Sequence, residues 1–146
     1  MPGPRPKQAA GAGAAGIIST LAALAAGVLA AVVGTILHAS LSYAGEVPLP
    51  WGAVLALVLT GALTYWVGML RGKLWVSALT GLSTYVFVAL ISMDQQNQMI
   101  VSTELFKVLP GPALAGGIWV YGIIVPVIAA ILLVAKQLRL KARAGG

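Results

Sequence analysis

Four long stretches of this chain contain no Asp, Glu, Lys or Arg: 17–41, 51–70, 74–93 and 113–135. A bilayer core about 30 Å thick takes roughly 20 apolar residues in a helix, and each stretch is long enough. Backbone polar groups in hydrocarbon must be satisfied within a helix or a closed barrel. Barrel strands would show apolar–polar alternation over about ten residues, and none of the four does. The expected fold is therefore all-α, a four-helix transmembrane bundle. Composition agrees: 60% of residues are apolar and 8% charged, whereas soluble domains carry about 25% charged residues. Soluble, disordered and collagen-like classes are excluded.

The charges fall on one side of such a bundle. Arg5 and Lys7 precede the first span, and Arg71 and Lys73 occupy the turn between the second and third. Lys136, Arg139, Lys141 and Arg143 follow the fourth. Lys107 and all three acids, Glu46, Asp94 and Glu104, lie on the other side. By the positive-inside rule both termini are cytoplasmic. The net charge of +6 is thus a topology signal, and no nucleic-acid partner is expected. Anionic phospholipids are expected at the C-terminal cluster, at about 1 kcal/mol per basic side chain near the surface. The chain divides into a flexible basic tail (1–16), a membrane domain (17–135) and a second basic tail (136–146). Ser42-Tyr43-Ala44 mimics a signal-peptide cleavage site, but a signal core runs only about 7–15 residues. The first apolar run exceeds that and is read as an uncleaved helix.

The turn Arg71-Gly72-Lys73 makes the second and third spans an antiparallel hairpin. Lipid gives apolar helices no reason to associate, so small residues that let backbones approach must do so. Pairing Gly68 with Ser77, Thr64 with Gly81, and Gly61 with Thr84 is consistent with that turn. This is expected to be the tightest internal interface, with hydroxyl bonds across it worth about 0.6 kcal/mol each. In the first span Gly27, Ala31 and Gly34 share a face that continues to His38, and the span is expected to pack on two sides. Pro126 should kink the fourth span or loosen one hydrogen bond. In the outer segment 94–112, Val101, Leu105, Val108 and Leu109 recur at helical spacing. With Ser102 as a cap they predict a short amphipathic helix on the membrane face, closed by Pro110-Gly111-Pro112.

Chemistry is sparse. Without cysteine the chain has no disulfide, iron–sulfur or thiol chemistry, and no cofactor is expected. His38 is the lone histidine. An ionisable group in a span is a functional candidate by default, yet one histidine has no companion ligand at metal or haem spacing. It is read as an interfacial or packed residue, or as a contact for a partner, a lipid or a quinone headgroup. The three acids are read as solvated loop residues. No phosphate-binding loop, dinucleotide fingerprint or hydrolase motif occurs. Thr60, Thr64, Ser77, Thr80, Ser83 and Thr84 admit a polar path, against the alternative that each hydroxyl bonds its own preceding turn. Trp119 and Tyr121 are candidate partner or lipid contacts, as are the basic residues Lys136, Arg139, Lys141 and Arg143.

Small four-span multidrug exporters are similar in size, but their first-helix glutamate has no counterpart here. Dual-topology fluoride channels are also similar in size, and the one-sided charge argues against dual insertion. A different resemblance is carried by Gly34-Thr35-Ile36-Leu37-His38, Pro50-Trp51-Gly52 and Trp119-Val120-Tyr121-Gly122. Over roughly 27–135 the chain resembles a family of small four-span membrane proteins of high-GC Gram-positive bacteria. The resemblance implies topology and bacterial source and supplies no mechanism. The expected role is a non-catalytic accessory subunit among larger membrane-protein subunits, with a respiratory complex as host. The alternative is a small homo-oligomeric channel or transporter using the hydroxyl face.

Overall fold

The structure, a computed structural model, describes residues 6–93 and 99–145, with side chains from Gly13 onward. Its elements are α1 (Pro6–His38), a hairpin of β1 (Ser42–Ala44) and β2 (Val47–Leu49), α2 (Trp51–Arg71), α3 (Leu74–Ser92), a 3-10 turn (Thr103–Lys107), α4 (Pro110–Gly122) and α5 (Ile124–Ala144). Four helical units are long and apolar enough to cross a membrane, α4 and α5 together forming the fourth. The bundle runs up and down. The turn after α2 and the end of α5 lie at one end, and the β-hairpin, the 3-10 turn and the start of α4 at the other. The basic residues Arg71, Lys73, Lys136, Arg139, Lys141 and Arg143 share the first end, here called the basic end. Arg5 and Asp94 lie outside the described residues.

α1 (Pro6–His38) runs through an Ala-rich stretch with high helix propensity. It packs against both α2 and α3, and glycines set how closely. A Cβ at Gly27 would overlap the Ser83 hydroxyl of α3 and stand 2.9 Å from the Thr80 carbonyl. One at Gly34 would overlap the Trp119 ring of α4. At the far end of α1, Gly52 donates to the Ser40 carbonyl at 3.1 Å, fixing the start of α2 against the end of α1.

The α2–α3 turn closes as expected. Gly72 is left-handed (φ 60°), a conformation suited to glycine, and Lys73 N–H bonds the Gly68 carbonyl at 3.2 Å. That pattern satisfies the orphan carbonyls of a helix end. The hairpin's register is kept at one of three expected pairs. A Cβ at Gly68 would overlap the Ser77 hydroxyl, but the nearest atoms to Gly61 belong to Pro126 and those to Gly81 to Val127. α5 therefore enters the cleft between α2 and α3, and two of the small residues expected to join the hairpin serve α5 instead. α2 and α3 each meet α1 more extensively than they meet each other, so the direct α2–α3 contact is not the most extensive in the bundle.

The fourth span is divided at Ile123. Pro126 has no N–H to give the Gly122 carbonyl and its ring crowds that turn. The helix resumes with Val127 N–H on the Ile123 carbonyl at 3.3 Å. Two outer elements differ from the sequence expectation. The connection 42–49 is a β-hairpin whose turn begins at Gly45 with φ 66°, as a two-residue hairpin loop demands. The segment expected to form an amphipathic helix is a five-residue 3-10 turn with no buried residue. Ser102 does cap it, accepting from Glu104 N–H at 3.3 Å. The turn stops because Leu109 precedes Pro110 and is driven out of the helical region (φ −131°, ψ 68°). Upstream, Ile100 joins the core of Ala31, Ala56, Val88, Trp119 and Ile123, so this strip dips into the bundle.

Candidate functional site

The interior of the membrane domain is polar along much of its length. Ser19, Thr35, His38, Thr60, Thr64, Ser77, Thr80, Ser83 and Thr84 are all buried. Most of these hydroxyls are satisfied within their own helix. Thr60 bonds the Ala56 carbonyl at 2.9 Å, Thr80 the Val76 carbonyl at 2.9 Å, and Thr84 and Ser83 both bond the Thr80 carbonyl. A hydroxyl bonded one turn back is quenched as a donor, which lets it pack at an apolar contact. Thr64 Oγ1 and Ser77 Oγ have no hydrogen-bond partner. The cross-hairpin hydroxyl bonds expected from sequence are therefore not formed at these two residues, although Ser77 does pack on Gly68.

Among the described residues, side chains tie different helices together at two places. The Arg71 guanidinium donates to Ser19 Oγ through Nε and Nη2, each at 3.1 Å, while Ser19 donates to the Ala15 carbonyl at 2.7 Å. This ties the end of α2 to α1 at the basic end. Near the opposite end Trp119 Nε1 donates to Thr35 Oγ1 at 3.2 Å. The tryptophan thus fills the Gly34 notch with its ring and anchors its polar edge on the next residue of the same helix. His38 closes this region, its Nδ1 paired with the Thr35 carbonyl.

These placements sort the sequence candidates. Trp119 is 0% exposed and His38 3% exposed, so both are packing residues of the bundle and present no surface to lipid or to a partner. Tyr121, at 68% exposed, is free to meet either. Lys136, Arg139, Lys141 and Arg143 are exposed on α5, whose helix continues through them to Ala144. Among the described residues, no three of His, Cys, Asp and Glu gather closely enough to hold a metal. The Arg71–Ser19 tie was missed from sequence because Arg71 had been given a topological role. The available signal was Ser19 sharing a helical stripe with Ala23 and Ala26.

Among the described residues, two concavities bear on the candidate residues. Near the hairpin end a cavity of about 160 Å³ is framed by Ser92, Val101, Ser102, Thr103, Gly116 and Tyr121, among others. At its edge the Val101 carbonyl would stand 2.6 Å from a Cβ at Gly116, so the backbone strip rests on a bare helix face. Along the outside of the bundle, α2 and α5 leave an apolar groove of about 350 Å³. Comparison with protein-family models, curated proteins and solved structures finds no match for the chain.

Proposed function

We propose that the chain is a non-catalytic accessory subunit of a larger assembly in a bacterial plasma membrane, with both termini cytoplasmic. A respiratory complex is the host to test first. The observation that carries this reading is where the hydroxyls lie. Thr60, Thr64, Ser77, Thr80 and Thr84 are wholly enclosed within one chain. They are not available to line a wet axis between copies, as the competing homo-oligomeric channel requires. What the bundle does offer outward is apolar side chains, from Ile17 and Leu21 on α1 to Leu132 and Leu133 on α5, suited to lipid and to neighbouring helices.

The positive-inside rule supports the orientation, since the basic end would face the cytoplasm. The experiment is affinity purification from native membranes in mild detergent, followed by mass spectrometry. Larger membrane proteins at fixed stoichiometry are expected. Recovery of a lone monomer contradicts the reading, and a homo-oligomer favours the channel.

A further inference from the structure

The groove between α2 and α5 is framed by Val58, Ala62 and Tyr65 on one side and Pro126, Ala129 and Leu133 on the other. It opens outward, towards the hydrocarbon. Its floor is set where Gly61 meets Pro126, a Cβ there standing 3.0 Å from the proline Cβ. α2 and α5 run in the same direction, so the groove follows both helices towards the basic end. On α5 the stripe of Ala129 and Leu133 continues to Lys136, which is exposed. Seven residues is close to two helical turns, placing the ammonium-bearing residue about 10 Å below Ala129 on the same face. An apolar slot leading to a cation at the level where a span ends matches one chemistry: a hydrocarbon chain attached to an anionic headgroup.

We propose that this groove holds one acyl chain of an anionic phospholipid, with Lys136 taking its phosphate. Charge separates this occupant from a second copy of the chain. A parallel copy would set Lys136 against another basic end. Among the described residues, the acids that could neutralise it, Glu46 in the β-hairpin turn and Glu104 in the 3-10 turn, belong to the opposite end of the bundle. A phosphate on the lipid side meets the lysine without that conflict.

The test is native mass spectrometry of the full chain in detergent, titrated with phosphatidylglycerol or phosphatidylcholine of identical acyl composition. One retained phosphatidylglycerol is expected, preferred by about fivefold, the ratio equivalent to about 1 kcal/mol for one basic side chain. Lys136→Gln should reduce that preference to near unity. Lys141→Gln, about 120° round the helix from Ala129 at 100° per residue, should leave it unchanged. Ala62→Phe and Ala129→Phe alter exposed positions and should abolish retention of either lipid while thermal unfolding shows the bundle intact. Equal losses from Lys136→Gln and Lys141→Gln would reduce the attraction to a diffuse one and overturn the site. Retention in the phenylalanine variants, or a dimer that those variants dissociate, would overturn it as well.

Discussion

α1 and α5 are both long and both belong to units apolar enough to cross a membrane, yet they are held in opposite ways. α1 meets α3 and α4 through glycines into which a neighbour's side chain fits: Ser83 of α3 over Gly27, Trp119 of α4 over Gly34. α5 has Ala130 and Val134 as its buried residues, and it gains its seat by entering notches on other helices, Pro126 at Gly61 and Val127 at Gly81. The comparison shows what holds helices together where apolar burial gives no advantage. α1 supplies bare backbone and so becomes the hub. α5 supplies side chains to fill gaps elsewhere and keeps most of its own surface, and its basic extension, outward.

The largest effect that would break this contrast is expected at Trp119. Trp119→Ala should cost about 3–5 kcal/mol of bundle stability, read as a loss of thermal stability in detergent, whereas Tyr121→Ala two residues away should cost little. A similar cost at both would mean that the ring does not sit in the Gly34 notch. Next comes Gly27→Val. Its side chain meets Ser83 and the Thr80 carbonyl, and overpacking costs about 1–3 kcal/mol. Gly13→Ala, with no atom within 4 Å, should be silent. The same substitution series on α5, for instance Ile128→Ala at an exposed site, should move stability less than Gly27→Val.

A smaller effect is expected at the basic end. Ser19→Ala removes the acceptor for Arg71 and should cost about 1 kcal/mol, the usual net value of one hydrogen bond. Arg71→Gln should add little to the Ser19→Ala variant in a double-mutant cycle, because the two act through one contact. The smallest change, and the sharpest, is Ser77→Ala. Its hydroxyl is buried without a partner, so removal should be neutral or slightly stabilising. A loss of about 0.6 kcal/mol, the mean for interhelical bonds in membranes, would instead reveal a cross-hairpin bond.

The spans, the tight hairpin and the Pro126 interruption were legible because each rests on local chemistry: uncharged length, a Gly at a helix end, a missing N–H. The stripe Gly27–Ala31–Gly34–His38 was legible as a packing face for the same reason. Which helix met each small residue was not legible. Glycine periodicity marks that something comes close, but a sequence pattern lets Gly61 meet α3 or α5, and Gly81 meet α2 or α5, equally well. Trp119 was read as a lipid or partner contact because aromatic residues in spans often sit at interfaces, whereas His38 was read as interfacial or packed and is buried. The notch at Gly34 that encloses Trp119 comes from a residue 85 positions earlier, and no local rule couples the two. The apolar spacing of Val101, Leu105 and Val108 was real, but Leu109 before Pro110 decided the backbone.

Because the chain contains no cysteine, its sidedness can be read without background. Single cysteines replacing Glu46, in the β-hairpin turn, and Gly145, at the end of α5, would be exposed in intact cells to a maleimide that does not cross membranes. Four crossings with the basic end inside predict labelling of Glu46→Cys at once and of Gly145→Cys only after permeabilisation. Prompt labelling of Gly145→Cys in intact cells, or labelling of both from the same side, would contradict the arrangement from which the proposed role follows.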